Sequence, residues 1–299
     1  MRPKLCLGTA QFGLPYGITN TAGKVPQSEV RALLGKAASA GLTFIDTAQA
    51  YGDAEAVLGH SLPTLHGFKL ISKFQSQSQS TFTANDCLIW EQAFQRSLVH
   101  LGQPCLDALL LHSAGDLRKP GGEHLRDWLF SLRDRALVRR LGVSIYCSGD
   151  LDGVSPELLD LVQLPLSLYD QRLLSDGTIA RLRAQGSAVH ARSLFLQGLL
   201  LSPSASWPAW VNSADREHHS RLENMTAERG CTLLECALSF ARAQEDLEAV
   251  VLGICSLREL EELLQAWHKS YPWDDSEWNE WSLNRSEILD PRSWPKSKA

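Results

Sequence analysis

The sequence predicts a closed (β/α)8 barrel, of the TIM type. Two observations carry that reading: eight short apolar runs punctuate the chain from end to end, and longer segments with helical spacing separate them. The runs are 4–9 (KLCLGT), 43–46 (TFID), 68–72 (FKLIS), 107–112 (DALLLH), 140–144 (RLGVS), 161–165 (LVQLP), 188–192 (AVHAR) and 249–253 (AVVLG). They are continuously apolar, as parallel strands covered on both faces are. The intervening segments carry helix punctuation. SEVRALLGKAASAG stops at Gly41, NDCLIWEQAFQRSLVHLG stops at Gly102, and SLRELEELLQAW opens with Ser256 and Glu259 in capping-box spacing. Repeats of this kind suit a barrel better than an open doubly wound sheet, and no G-x-G-x-x-G opens the first helix to suggest a Rossmann site.

One barrel is expected over residues 1–299, with an irregular, Trp-rich tail from about 271 and a loop at 202–212 (SPSASWPAWVN). The formal net charge of -5 and the lack of any long Lys/Arg run exclude a nucleic-acid footprint. No apolar stretch approaches the about 18 residues a membrane span needs, and the first residues lack a signal-peptide pattern. Seven scattered cysteines without a C-x-x-C pair argue against a disulfide framework or a zinc site. A soluble cytoplasmic protein is the expectation.

Chemistry in such a barrel gathers at the C-terminal ends of the strands. Asp46 ends the second run, Tyr51 lies just beyond it, Lys73 follows the third and His112 ends the fourth. Each has a plainer explanation when taken alone: Asp46 as turn chemistry, Tyr51 as packing, Lys73 as a solvated loop lysine, His112 as a ring satisfied by backbone. Together they form a set. A phenol is a reluctant proton donor near neutral pH, a neighbouring ammonium stabilises its phenolate, and Asp46 can hold that ammonium. His112 can orient a carbonyl oxygen. The set suits protonation of an alkoxide as hydride reaches a carbonyl carbon.

The segments DTAQAYG, ISK and LLLH, in order and spacing, resemble the motifs that supply the Asp, Tyr, Lys and His of the aldo-keto reductases. The resemblance runs from LGTAQFG to GICSLRELEELL. It implies a barrel that binds a nicotinamide cofactor, usually NADPH, and reduces an aldehyde or ketone with Tyr51 as general acid. It further implies that Ser144 and Gln163 contact the nicotinamide carboxamide, that Arg192 stands where many members stack a Tyr on that ring, and that Glu262 belongs to the adenine-contacting stretch, where Leu263 replaces an Asn.

Barrel phosphate sites commonly use the loops after strands seven and eight. Gly198 and Gly253, with Ser193 in the first of these loops, are expected to allow close approach of cofactor phosphate, and the helix opened by Ser256 to offer it amides. Arg258 is the one obvious cation for a 2′-phosphate. NADPH is therefore expected, with NADH as the alternative. Two other functions stand beside reduction: a cofactor-binding subunit without turnover, and a Schiff-base aldolase using Lys73. GTAQFGLPYGI and RSLFLQGLLL resemble a bacterial subgroup associated with surface sugars, which suggests a sugar-derived carbonyl. Trp207, Trp210, Trp273, Trp278, Trp281 and Trp294 fall in irregular stretches, and at least one is expected to reach the mouth near Tyr51.

Overall fold

The computed structural model describes residues 2–63, 66–269, 275–283 and 285–295. Eight parallel strands, β1 (Lys4–Gly8), β2 (Phe44–Asp46), β3 (Lys69–Phe74), β4 (Leu106–Leu111), β5 (Val138–Ser144), β6 (Leu161–Pro165), β7 (Ala188–Arg192) and β8 (Ala249–Gly253), close into a barrel. β8 pairs back onto β1, with Cys6 opposite Val251. The strand expectations hold to within about two residues, the accuracy that end fraying allows. The informative departure is β3, which continues through Lys73 to Phe74, so Lys73 is a strand residue paired with Leu110 and not a loop lysine.

Side chains alternate across each strand, and this sorts the residues into two layers. Outward-facing residues such as Leu7, Ile45, Leu70, Leu109, Val143, Val162, Val189 and Val250 pack under the helices in the main core. Inward-facing Cys6, Phe44, Ile71, Ala108, Leu110, Leu161 and Ala249 fill the barrel itself. Two residues further along the same inward phase stand Asp46, Lys73, His112 and Gln163. The pleat that packs the interior thus delivers polar groups to the mouth.

The helices stop where the sequence indicates. Asp86–Leu101 ends on Gly102 in the left-handed conformation, whose amide satisfies the carbonyls of Leu98 and Val99. Leu233–Ala243 begins with a reciprocal Thr232–Glu235 box and buries Cys236, Leu238 and Phe240 against the barrel. One repeat departs from the expected pattern: β5 and β6 are joined by two 3-10 turns, Ser148–Leu151 and Pro156–Leu158, with no α-helix between them. Among the described residues no helix is long and apolar enough to cross a membrane.

The irregular stretches seal the outside of the barrel. Trp207 is buried, stacks on His219 and donates to the Leu199 carbonyl at 2.9 Å. Trp278 packs edge-on against Phe240, Trp281 against His218, and Trp294 against Trp210 while donating to the Ile288 carbonyl. Trp207, Trp210, Trp278, Trp281 and Trp294 do not line the mouth cleft; Trp273, the sixth tryptophan of that expectation, lies outside the described residues. Their large apolar faces are spent on closing the shell. The tail reaches the mouth instead through Arg292, whose guanidinium lies 3.5 Å over the Tyr146 ring.

Gly142 on β5 marks the tightest point of the barrel. A Cβ there would stand 1.9 Å from the Leu161 carbonyl oxygen and 2.5 Å from a Leu110 methyl. Backbone cannot yield as a flexible side chain does. Gly142→Ala is expected to lower stability by about 3 kcal/mol through overpacking, measured as a reduced urea midpoint at unchanged slope.

Candidate active site

A cleft of about 500 Å³ opens at the C-terminal ends of the strands, within the range of small-molecule and cofactor sites. Asp46, Tyr51, Lys73, His112, Ser144, Gln163, Arg192, Ser193, Gly198, Gly253 and Glu262 all line it. Ser256 and Arg258 do not.

At its base Lys73 is 1 % exposed and makes three hydrogen bonds, to Asp46 Oδ1 (2.5 Å), the Thr47 carbonyl (3.0 Å) and the Tyr51 hydroxyl (3.4 Å). An ammonium has three N–H groups, so its donors are fully used. Burial alone would push the Lys73 ammonium down, but the charge of Asp46, then Tyr51, and the hydrogen bonds to both hold it above its ordinary value. Asp46 spends its second oxygen on Gln163 Nε2 at 2.8 Å. Its backbone carbonyl accepts from both the amide and the hydroxyl of Thr9.

His112 stands edge-on to Tyr51 with ring centroids 6.0 Å apart, and its ring makes no hydrogen bond to another described residue. Burial, then the charges of Lys73 and Arg192, push it down to about 4. The imidazole is neutral at physiological pH and keeps one N–H to donate. Gln163 has a further feature: its Oε1 is buried and has no partner, an acceptor poised beside Asp46. Ser144 pairs with Gln163 in the ladder and shares this wall.

Arg192 donates to Ser193 Oγ at 3.1 Å and to the Ile145 carbonyl at 3.0 Å, with its guanidinium 4.2 Å over Tyr146. Among the described residues it has no carboxylate partner. The loop beyond it is strained, with Ser193, Leu196 and Gln197 at positive φ (62°, 48° and 56°). Gly198 follows at φ 95°, and a Cβ there would fall 1.9 Å from Thr19 Oγ1. Gly198 therefore makes room for Thr19, which also bonds the Gln197 carbonyl and ties the β1 loop across the cleft. Gly253 likewise makes room for Gln11, whose amide would lie 2.6 Å from an added Cβ. Both glycines serve protein side chains, where the sequence suggested space for phosphate.

The helix Leu257–His268 shows a similar reversal. Ser256 caps it by accepting from the Glu259 amide. The Leu257 amide donates to Glu29 Oε1 at 2.6 Å, and Glu259 accepts from the Cys255 amide at 2.7 Å. A carboxylate of the chain thus occupies the first helix amide, Leu257, and another the amide of Cys255 just before the N-cap. Arg258 is 84 % exposed and only loosely paired with Glu262 at 3.8 Å.

Among the cleft residues that the sequence reading did not assign to the site are Gln11, Tyr16, Tyr146 and Glu259. Tyr16 is 39 % exposed, yet burial of its hydroxyl and then the neighbouring Tyr51 push that group up to about 12, against the opposing pull of Arg192. Tyr16 and Tyr146 follow β1 and β5. The rule that every strand end of a barrel faces the mouth would have flagged both.

The Aldo/keto reductase family model matches residues 4–283. The chain belongs to the aldo/keto reductase family. Members are oxidoreductases that act on small-molecule carbonyl compounds and use nicotinamide cofactors in general. Two solved Pseudomonas aeruginosa structures described as candidate aldo-keto reductases share the fold. One superposes with a TM-score of 0.63 at 19% identity, covering 89% of this chain and 90% of that one. The other gives 0.61 at 20% identity, with 89% and 90% coverage. No curated protein matches the chain significantly.

The depressed His112 value links the site to stability. The unfolded chain takes up a proton near the ordinary 6.5 and the folded chain only near 4, so stability is complete above about pH 6.5 and falls as pH drops through that window. The loss by about pH 4.5 should be on the order of 2 kcal/mol. Urea unfolding at pH 7 and 4.5 should show this decrement in the parent protein and a smaller one in His112→Gln.

Proposed function

We propose that the chain is a nicotinamide-dependent carbonyl reductase in which Tyr51 donates the proton. The observation that supports this best is the fully engaged Lys73 ammonium. Its three bonds join a buried carboxylate to Tyr51, a phenol that lines the cleft. The residues present also suit the cofactor: Gln163 Oε1 is a buried acceptor without a partner, as a carboxamide N–H requires, and Ser144 lies beside it.

The bound dinucleotide would supply hydride to the carbonyl carbon. The chain's own residues handle the oxygen. Neutral His112 and the Tyr51 hydroxyl donate to it and fix its position. As negative charge grows on that oxygen the Tyr51 proton transfers to it. The phenolate left behind is stabilised by the Lys73 N–H, and Asp46 keeps Lys73 charged. The cationic, donor-saturated state of Lys73 weighs against a Schiff-base aldolase, which needs a free amine. The substrate we favour is a small aldehyde or ketone, with sugar-derived carbonyls as the class suggested by the loop after β1 and the loop after β7. All seven cysteines are free, which supports a reducing, cytoplasmic setting.

Tyr51→Phe should lower turnover of aldehydes by roughly 10²–10⁴-fold, the range for a positioned general acid, while cofactor binding by calorimetry stays within about threefold. Retained turnover would rule out Tyr51. Cofactor binding without turnover of any carbonyl in the parent protein would favour the binding-only subunit.

The ion pair yields a separate expectation. Lys73→Met leaves Asp46 buried and uncompensated, which should cost about 3–5 kcal/mol of stability as well as activity. Adding Asp46→Asn to that variant should restore most of the stability and none of the turnover. A double variant as unstable as the single would show that packing, not charge, made Lys73 necessary.

A further inference from the structure

The end of the cleft beside the helix Leu257–His268 is built from hydrogen-bond acceptors. Apart from Asp46, Lys73, His112 and Arg192, the only ionisable carboxyl or basic groups lining the cleft among the described residues are Glu259 and Glu262. Glu259 is held against the Cys255 amide through one oxygen, Oε2. Glu29 takes the Leu257 amide from behind. A helix N-terminus ordinarily attracts an anion, but Glu29 already takes the Leu257 amide, Ser256 takes the Glu259 amide, and both carboxylates lie at the positive end of the helix, where they offset its dipole. A third acceptor points the same way. Gln11 is 8 % exposed, lines this stretch beside Gly253, and its Oε1 is buried without a partner. Arg258, in the first turn of the helix, is 84 % exposed and does not line the cleft.

Resting on the dinucleotide reading above, we infer that this end selects the unphosphorylated cofactor, NADH, over NADPH, with Glu259 as the principal specificity-determining residue. The two cofactors differ by one phosphate on the adenosine ribose. A ribose diol offers hydroxyl donors, which unoccupied carboxylate and carboxamide oxygens can accept. A 2′-phosphate offers only acceptors and negative charge, and would meet Glu259 and Glu262, of which only Glu262 has a cation nearby, the exposed Arg258 at 3.8 Å. Acidic groups favour a 2′-hydroxyl in other dinucleotide sites for the same reason. This reading reverses the sequence-based preference for NADPH. That preference rested on the resemblance to a family whose members usually use NADPH, and on Arg258, which does not line the cleft.

Isothermal titration calorimetry of the full chain with NADH and with NADPH tests the proposal without reference to turnover. NADH should bind about tenfold tighter or more, and the ratio should widen as ionic strength falls, because like-charge repulsion is less screened. Glu259→Gln keeps an oxygen for the Cys255 amide but removes the charge and one acceptor, so NADH should weaken and NADPH tighten, narrowing the ratio; adding Glu262→Gln should bring the two within about twofold. Equal or tighter binding of NADPH by the parent protein overturns the inference. So does a ratio indifferent to salt and to both variants, or a selective loss of NADPH binding in Arg258→Ala, which would mean that Arg258 swings in to meet the phosphate. Failure of both cofactors to bind would instead sink the dinucleotide reading itself, and this inference with it.

Discussion

The buried pair of Lys73 and Asp46 is the interaction on which the rest of the site depends. Two charges inside a barrel are favourable only if their geometry is good and their remaining hydrogen-bonding capacity is met, since desolvation otherwise exceeds the Coulombic gain. Here every such capacity has a named partner. Asp46 divides its oxygens between Lys73 and Gln163, and Lys73 gives its other two N–H groups to the Thr47 carbonyl and the Tyr51 hydroxyl. The Asp46 backbone is pinned from β1 by Thr9. Four strands thereby meet at one ion pair, and Tyr51 is the point where that pair touches the cleft. The placement of Tyr51 follows from the requirement to satisfy Lys73.

Much of this was legible in the sequence because a barrel turns a local pattern into a global position. An apolar strand that ends in a polar residue at the inward phase puts that residue in the mouth, whatever the loops do. Asp46, Lys73, His112, Ser144, Gln163 and Arg192 all obey that rule, two residues beyond an inward-facing neighbour on the same strand. What could not be read is what fills space from far away in the chain. Nothing local shows that Thr19 occupies the volume at Gly198, that Gln11 occupies the volume at Gly253, or that Glu29 reaches the Leu257 amide across 228 positions. Glycines and a helix N-terminus at a barrel mouth suggest phosphate on general grounds, and here the protein has filled those features itself. The tryptophans misled for a related reason: their irregular segments wrap the shell, and burial against Phe240, His218 and His219 is invisible without the fold.

The cleft has a polarity that follows from these placements. At the catalytic end Asp46 neutralises Lys73 and burial keeps His112 uncharged, so Arg192 is the charge left uncompensated. Its plane is fixed by Ser193, the Ile145 carbonyl and the Tyr146 ring, and Arg292 from the tail covers that same ring at 3.5 Å. The cation cannot easily turn away, and it already acts on its surroundings, adding to the depression of His112 and opposing the rise of Tyr16. A fixed positive charge at this place favours the alkoxide that forms when a carbonyl accepts hydride, and disfavours a second cation beside it. An oxidised nicotinamide is such a cation and a reduced one is neutral. On the proposed reductase reading, Arg192, which has no carboxylate partner among the described residues, would stabilise the oxygen anion and the reduced cofactor together, and so would favour entry of the reduced cofactor and formation of the alcohol.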